Sequence, residues 1–245
     1  MKYLRKLMFL FILAAQLCAA ACALQNPAQH SDGNAEIQNV KYDGFTYKKI
    51  PQKIFKKMQG NSYPHNALIP IDELHLLEIK YYGFDWKAHK GEIIAHKKVA
   101  AELLDIFEEL FEEKYPIEKV RLIDYYNADD EKSMADNNTS AFCWRNATLK
   151  KELSYHALGL AVDINPLYNP YVKGNVVEPI QAKKYLDRNK KIKGLISGPQ
   201  DAAVQAFKKR GWIWGGEWQS LKDYQHFEKR DAEIYNYYND LAKEK

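Results

Sequence analysis

The chain has 245 residues, of which 46% are hydrophobic and 28% are charged, and it holds 17 Tyr and 5 Trp. This composition supports a folded domain with a sizeable core and excludes a mostly disordered chain. The formal net charge is +4, but three of the 36 basic residues lie within the first 23 positions, which hold no acid. The remaining 33 basic and 32 acidic residues nearly balance, which argues against a nucleic-acid-binding protein with a basic face.

Residues 1–23 have the pattern of an export signal. Three basic residues precede an apolar run that begins at Phe9, and only Gln16 interrupts this run before residue 23. The run is too short for a comfortable membrane span. Residues 21–23 read ACA, which is a small-x-small cleavage pattern, and the alternative is lipid attachment at Cys22. We expect an exported protein of the periplasm or cell envelope, either free or anchored as a lipoprotein.

The three cysteines do not predict a disulfide framework. Cys18 and Cys22 lie within the predicted signal, so the mature domain keeps Cys143 alone. A single internal cysteine of this kind is expected to be buried and chemically inert.

The first half of the mature chain changes character in steps. Residues 24–62 are polar and rich in turn formers, which predicts a lead-in or tether, and we place the folded domain at residues 63–245. Residues 74–82 and 92–96 predict two strands joined by a solvent-exposed loop at Gly83. From residue 97 to 114 apolar residues recur at steps of three and four, which predicts one amphipathic helix.

The second half continues without regular alternation of strands and helices. Residues 120–126 predict a strand, and residues 127–139 predict a loop. Residues 200–210 predict a helix that stops at Gly211, and the Tyr-rich tail over residues 231–245 predicts another. This irregular order favours an α+β fold over a doubly wound sheet.

The segment over residues 154–166 reads SYHALGLAVDINP and places an acid in an apolar strand. Asp163 needs a partner or a metal there, because an unpaired buried carboxylate is costly. His156 lies seven residues earlier, which corresponds to roughly 23 Å along a strand or about 10 Å along a helix. The chain must therefore turn if the two side chains share an ion, and Gly159 is the residue that allows this turn.

A second chemical segment lies near the C-terminus, at residues 223–228, which read DYQHFE. Two His and one carboxylate with an open fourth position are the ligand set of a catalytic zinc. His156, Asp163 and His226 make up such a set. A further carboxylate would act as the base for water, and Asp223 is the candidate on the bend that leads into the strand of His226.

These motifs resemble a known family. The patterns S-x-H-x-x-G-x-A-x-D, G-W-x-W-G-G-x-W and D-x-x-H-F-E, at residues 154–163, 211–218 and 223–228, are similar to those of the zinc D-Ala-D-Ala metallopeptidases. That family contains D,D-carboxypeptidases, D,D-dipeptidases and L-alanyl-D-glutamate endopeptidases, and it shares its core fold with hedgehog domains. The resemblance covers roughly residues 95–230 and implies a small antiparallel sheet flanked by helices.

The resemblance also implies roles for individual residues. His156, Asp163 and His226 correspond to the zinc ligands, and Asp223 corresponds to the catalytic base. An Asp at this position, where the dipeptidases have Glu, resembles the endopeptidase branch.

Two further residues match the family pattern. Arg145 corresponds to the arginine that steadies the scissile carbonyl, and Ser154 corresponds to a serine that contacts substrate. Residues 137–142 look like the substrate-binding strand of the family. The Cys143-Trp144 order before the arginine departs from the expected Asn-Cys order.

Each of these residues also has a structural interpretation. Ser154 could be an N-cap of the His156 turn, and Arg145 could be a partner in a surface ion pair. The three Trp of the second motif could be core aromatics around the Gly215-Gly216 turn, and we favour this over stacking on substrate. They are Trp212, Trp214 and Trp218.

The combined prediction is an exported zinc peptidase, acting as a monomer, that cleaves peptidoglycan stem peptides as a D-alanyl-D-alanine carboxypeptidase. An L-alanyl-D-glutamate endopeptidase is the alternative within the family, and Asp223 favours it. A non-catalytic, zinc-stabilised cell-wall-binding module is the alternative outside enzymology, although it would be expected to lack the base. A thiol hydrolase built on Cys143 and His226 leaves both aspartates unexplained.

Overall fold

The computed structural model describes residues 38–148 and 150–244, which belong to one compact unit. The predicted export signal, with Cys18 and Cys22, lies outside the described residues, as do residues 24–37. No helix in the described part of the chain combines the length and apolar character needed to cross a membrane.

The unit combines short strands with five α-helices over its described residues. The strands are β1 (Gln38–Tyr42), β2 (Phe45–Lys49), β3 (Leu74–Tyr82), β4 (Ala88–His96), β5 (Lys119–Val120), β6 (Asn138–Thr139), β7 (Ala161–Asp163), β8 (Tyr171–Lys173), β9 (Val176–Glu178), β10 (Ile213–Trp214), β11 (Lys222–Asp223) and β12 (His226–Glu228). The helices are α1 (Gln52–Met58), α2 (Lys97–Glu112), α3 (Asp130–Ala135), α4 (Ala202–Lys208) and α5 (Ala232–Lys243). Small antiparallel sheets with flanking helices confirm the predicted α+β class.

The largest sheet has the strand order β1-β2-β3-β4, and α2 packs on it. The predicted strand over residues 74–82 is confirmed, and its partner begins earlier than predicted, at Ala88. The predicted helix is confirmed as α2, which starts where the side chain of His96 accepts a hydrogen bond from the Lys98 N–H. Leu103 and Phe107 on its inner face are fully buried. This sheet and helix hold much of the hydrophobic core.

The structure differs from the predicted lead-in over residues 38–62. This stretch forms β1, β2 and α1, and β2 pairs with β3 in the main sheet. Phe45 is 3% exposed and Met58 is fully buried, so both belong to the core. The turn formers at Asp43 and Gly44 join two paired strands here, because Gly44 supplies the positive φ of +77° at the hairpin.

The strand predicted over residues 120–126 and the loop predicted over residues 127–139 are both wrong. Only Lys119–Val120 is strand, because β5 has just two residues of β6 to pair with, and Ile123–Tyr126 forms a 3₁₀ turn. The loop contains α3, whose first turn is capped by the Asp129 side chain. Sequence periodicity could not show this, because α3 has only six residues.

Two three-stranded sheets frame the region of the sequence motifs. Their strand orders are β10-β12-β7 and β11-β8-β9, and every pairing in them is antiparallel. The two predicted C-terminal helices are confirmed as α4 and α5. Asp201 and Asp231 cap them by accepting hydrogen bonds from the Ala203 and Ile234 N–H groups.

Candidate metal centre and cavity

A tight turn brings His156 back to the strand that carries Asp163. Residues Tyr155–Leu158 form a 3₁₀ turn, and the Ser154 hydroxyl accepts a hydrogen bond from the His156 N–H at 3.2 Å. Gly159 ends this turn in the left-handed region at φ +65°, and a Cβ there would lie 2.5 Å from the backbone nitrogen of His96. The sequence therefore needs glycine at this position for both its conformation and its close packing.

Strand pairing supplies the second histidine. β12 runs antiparallel to β7, and His226 lies directly opposite Asp163 in the register. On its other side Asp163 forms an isolated bridge with Ser140. The backbone of Asp163 is thus paired on both sides, and the residue is 4% exposed.

The three predicted ligands converge on one point. His156 Nε2 lies 3.2 Å from Asp163 Oδ2, His226 Nδ1 lies 3.1 Å from Asp163 Oδ1, and the two ring nitrogens are 3.1 Å apart. A tetrahedral metal with ligand bonds of about 2.0–2.2 Å separates its donor atoms by about 3.3–3.5 Å. These three residues are also the one group with ligand atoms close enough to hold a metal among the described residues. The donor set and its spacing fit a zinc-sized ion.

The far side of each imidazole ring is held by an acceptor. His156 Nδ1 lies 2.5 Å from the Ala141 carbonyl oxygen, and His226 Nε2 lies 3.2 Å from Glu228 Oε2. An N–H at each of these positions donates to its acceptor, so the opposite nitrogen of each ring faces the cluster. This is the arrangement of metal-binding histidines, whose remaining N–H is oriented by a carbonyl or carboxylate.

The charges of the cluster are consistent with a cation site. Burial lowers the pKa of His226, but the Asp163 and Glu228 carboxylates outweigh burial and raise it to about 10. Burial raises the pKa of Asp163, but His156 and His226 outweigh it and hold that pKa well below its usual range. The carboxylate is therefore ionised, and a positive charge, either a proton or a metal ion, is favoured between the rings.

One cavity of about 440 Å³ opens at this cluster, and all six residues predicted for the site line it. They are Arg145, Ser154, His156, Asp163, Asp223 and His226. Among the described residues, seven buried side-chain nitrogen or oxygen atoms lack a hydrogen-bond partner, and five of them belong to residues that line this cavity. Those five are Arg145 Nε, Tyr171 Oη, Trp218 Nε1, Asp223 Oδ1 and Gln225 Oε1. Buried polar groups are normally paired, so this concentration marks a place for a polar ligand.

Asp223 lies on the strand β11 and not on a bend. β11 pairs with β8, which sets Asp223 opposite Tyr171, and the backbone then turns into β12. Burial raises the pKa of Asp223 to about 7, while His226 lowers it. Gly215 permits this placement, since a Cβ there would lie 2.6 Å from the Asp223 carbonyl oxygen. A carboxyl with this pKa can accept a proton from water near neutral pH, although a bound dication would favour its ionised form.

Arg145 reaches the cavity but is not free. Its Nη2 lies 2.9 Å from Asp130 Oδ2, while its Nε has no partner. The backbone of Arg145 is held in place because its carbonyl accepts a hydrogen bond from the Ser154 N–H at 3.0 Å. The ion pair orients the guanidinium and leaves one N–H available to a ligand. The assigned roles of Arg145 and Ser154 toward substrate stay predictions.

The three Trp of the Gly211–Trp218 motif have different environments. Trp212 Nε1 donates to Glu102 at 2.6 Å and Trp214 Nε1 donates to the Tyr224 carbonyl at 2.9 Å, and both side chains are 2% exposed. Trp218 lines the cavity, its ring lies 5.4 Å from that of His226, and its N–H has no partner. The interpretation as core aromatics thus describes the first two, whereas Trp218 faces the site.

Cys143 is buried and does not line the cavity. Burial raises the pKa of its thiol to about 12, so the thiolate needed for a nucleophile is not formed near neutral pH. This agrees with the expected inert cysteine and leaves the thiol-hydrolase alternative without support.

Glu228 also lines the cavity. The sequence marks it as the next candidate base after Asp223, and residues two apart on a strand share a face, as Glu228 does with His226. Sequence reasoning did not connect two further residues with the site. Tyr171 and Glu178 carried no motif. They reach the cavity only because β8 and β9 pair beside β11.

Comparisons with known proteins bear on the same segment. Residues 148–229 match the model of the family described as D-alanyl-D-alanine carboxypeptidase. The matched segment contains both histidines and both aspartates of the cluster, whereas Arg145 precedes it. Searches of curated proteins and of solved structures found no match.

Proposed function

We propose that this chain is an exported zinc peptidase that cleaves peptidoglycan stem peptides, because residues 148–229 match the model of the family described as D-alanyl-D-alanine carboxypeptidase. The observation that carries the zinc assignment is the close approach of the three side chains. His156 Nε2 and His226 Nδ1 lie 3.1 Å from each other, and each lies 3.1–3.2 Å from one of the two Asp163 carboxylate oxygens. The other nitrogen of each ring faces an acceptor outside the cluster. The ligands would be His156, Asp163 and His226. A neutral-nitrogen and carboxylate set of this kind suits zinc in a catalytic site with an open position.

When bound, zinc supplies Lewis-acid polarisation of a carbonyl and acidifies water. The protein residues supply the rest of the chemistry. Asp223 accepts the proton of the attacking water at its carboxylate and then returns it to the amine that leaves. The Arg145 guanidinium donates a hydrogen bond to the carbonyl oxygen as negative charge develops there.

The bond that we favour is D-Ala–D-Ala, cleaved as by a carboxypeptidase. A carboxypeptidase must bind the terminal carboxylate of its substrate, and this requires a cation in the cavity. Lys150 lines the cavity, and no acidic side chain within the described residues is paired with it. Arg230 also lines the cavity, but it is paired with Glu228 at 2.7 Å. Lys150 is therefore our candidate for the carboxylate contact.

The second candidate is cleavage of the L-Ala–D-Glu bond. It is favoured by the identity of residue 223, since Asp at this position resembles the endopeptidase branch of the family. Export through residues 1–23, with lipid attachment at Cys22 as the alternative to simple cleavage, belongs to the same proposal.

Mass spectrometry of purified muropeptides, incubated with the zinc-loaded mature domain, distinguishes these functions. Loss of a single alanine from pentapeptide stems is the expected result. Release of the peptide that begins at D-Glu, with L-Ala left on the muramic acid, would establish the endopeptidase instead. Unchanged muropeptides that nevertheless bind the domain would replace both activities with the cell-wall-binding module.

A further inference from the structure

The cavity has a second chemical feature away from the metal cluster. In the sheet β11-β8-β9, Asp223 lies opposite Tyr171, and Tyr171 lies opposite Glu178. Neighbouring strands are about 4.8 Å apart, so the backbone of Glu178 is about 10 Å from that of Asp223. Asp223, Tyr171 and Glu178 all line the cavity, and so does Asp130. We call Asp130, Tyr171 and Glu178 the acidic end.

Glu178 is a carboxylate without a cationic partner. Among the described residues it forms no ion pair, and the nearby guanidinium of Arg145 is already bound to Asp130 at 2.9 Å. Burial, together with the charges of Glu131 and Asp130, raises the pKa of Glu178, and Arg145 opposes this only in part. The carboxylates of Glu178, Asp130 and Glu131 thus outnumber the single guanidinium of Arg145. The resulting negative potential at this side of the cavity favours a ligand that brings positive charge.

Tyr171 adds an independent observation. Its side chain is 6% exposed, and its hydroxyl has no hydrogen-bond partner although it lines the cavity. Burial raises the pKa of this hydroxyl, and the nearby charges of Asp223 and Glu178 raise it further. A buried hydroxyl is normally paired, so a polar group of a ligand is expected beside it.

We propose that the acidic end binds the protonated side-chain amine of a diamino acid in the peptide substrate, one residue away from the cleaved bond. An extended peptide advances about 3.3–3.6 Å per residue, and a lysine-length side chain adds several further ångströms. An amine on that residue therefore spans the distance of about 10 Å between the base and Glu178. An ammonium group offers three donors, which suit the Glu178 carboxylate and the Tyr171 hydroxyl oxygen. Lys150, for which the described residues supply no acidic partner, would repel the same amine and is assigned to the substrate carboxylate instead.

This inference rests on the proposed peptidase function, and its test separates the two. The probes are the pentapeptide L-Ala-γ-D-Glu-L-Lys-D-Ala-D-Ala and the same peptide with the lysine amine acetylated. Acetylation should reduce kcat/KM of the wild-type enzyme roughly 10- to 100-fold, chiefly through KM, as expected for loss of a hydrogen bond to a charged group. Glu178→Gln should lose this discrimination, because its kcat/KM on the free-amine peptide should fall to about the same value as its kcat/KM on the acetylated peptide.

The matched control is Glu233→Gln, an exposed acid at the start of α5 that does not line the cavity, and it should discriminate like wild type. Equal cleavage of both peptides by wild type would overturn the inference and leave the peptidase function intact. An equal loss on both peptides in Glu178→Gln would also overturn it, since a merely structural role has that effect.

A binding measurement tests the acidic end without turnover. Calorimetry with the zinc-loaded Asp223→Asn variant should show the free-amine peptide binding roughly 10- to 100-fold more tightly than the acetylated one. If no stem peptide is cleaved by wild type, the proposed function fails, but this preference still supports the acidic end. Equal dissociation constants would overturn it.

Discussion

The sheet β1–β4 with α2 and the region around the cavity hold their residues in place by different means. β3 and β4 are nine residues long and pair over their full length, so their backbone groups are paired by regular ladders. Strands β7 to β12 have two or three residues each. Five of the seven unpartnered buried polar atoms within the described chain belong to the cavity lining, whereas one, His75 Nδ1, belongs to the large sheet and none belongs to α2. The first region is built for burial of apolar surface, and the second keeps polar groups ready for a ligand.

Buried asparagines replace the missing ladders near the cavity. Asn165 Nδ2 donates to the carbonyls of Pro116 and Gly194 at 2.9 and 3.2 Å. Asn169 Nδ2 donates to the Gly194 carbonyl at 2.9 Å, and its Oδ1 accepts from the Ile196 N–H at 2.8 Å. Irregular backbone can be buried here because side-chain amides satisfy its carbonyl and N–H groups. The comparison leads us to expect that substitutions in the cavity change activity without stability, and that substitutions under α2 do the reverse.

The largest effect is expected for Asp223→Asn. This change keeps the shape of the side chain but removes the proton acceptor, so kcat should fall roughly 10²–10⁴-fold, while zinc content and Tm stay near wild type. Steady-state kinetics, metal analysis and calorimetry measure the three quantities. His226→Ala is the contrasting variant, because it should lose zinc together with activity. Loss of metal from Asp223→Asn would identify Asp223 as a ligand instead of a base.

The reverse pattern is expected for Leu103→Ala on the inner face of α2. Leu103 is fully buried, and removing its side chain should lower the free energy of unfolding by about 2–5 kcal/mol. The kcat of the fraction that remains folded and zinc-loaded should not change. Urea denaturation and kinetics at low temperature check both statements. A kcat loss comparable to that of Asp223→Asn would contradict the division between the two regions.

Arg145→Met tests a residue that forms an ion pair within the fold and is also proposed to contact the substrate carbonyl. The variant keeps bulk but removes the hydrogen-bond donor to the substrate carbonyl, so kcat should fall on the order of 10²-fold with little change in KM. It also leaves Asp130 without its partner, so Asp130→Asn serves as the control for the broken ion pair. Similar kinetics in the two variants would mean that Arg145 acts only by holding Asp130.

The pH dependence of stability should include a contribution from His96 in the large sheet. Burial lowers the pKa of His96 to about 4 in the folded state, against an ordinary value of about 6.5. The unfolded chain therefore binds more protons between these values, so the stabilisation is present above pH 6.5 and is lost as the pH falls toward 4. Between pH 7.5 and 4.5 wild type should lose about 2–3 kcal/mol more than His96→Asn, which keeps a capping acceptor. An equal loss of unfolding free energy in wild type and His96→Asn, measured by denaturation at both pH values, would refute this.

The smallest effect is expected for Cys143→Ser. The thiol is buried outside the cavity lining, and its raised pKa excludes a thiolate near neutral pH. Because the substitution removes no catalytic contact, kcat per folded molecule should stay within a factor of about two of the wild-type value. Complete inactivation of a folded, zinc-loaded Cys143→Ser protein would restore the thiol-hydrolase alternative.

Features that depend on residues close together in the chain are predictable from the sequence. The 3.6-residue periodicity of α2 and the helix-stopping Gly211 are local signals, and so is the need for a turn between His156 and Asp163, because straight strand or helix geometry keeps them too far apart. The predictions for residues 38–62 and 120–139 are wrong, because the strands and helices there have only two to seven residues, which is too short for their periodicity to be recognised.

Which strands lie beside one another does not follow from local signals and is seen in the folded structure. The opposition of His226 to Asp163, 63 positions apart, and of Asp223 to Tyr171 and Glu178 comes from pairing between distant strands. Trp212 and Trp214 lie in the core because their indole N–H groups meet acceptors there, whereas the N–H of Trp218 has no partner and faces the cavity. The sequence motif does not distinguish the three. Local signals arise from geometry repeated within one element, whereas the cavity arises from side chains that share a face only after the sheets have formed.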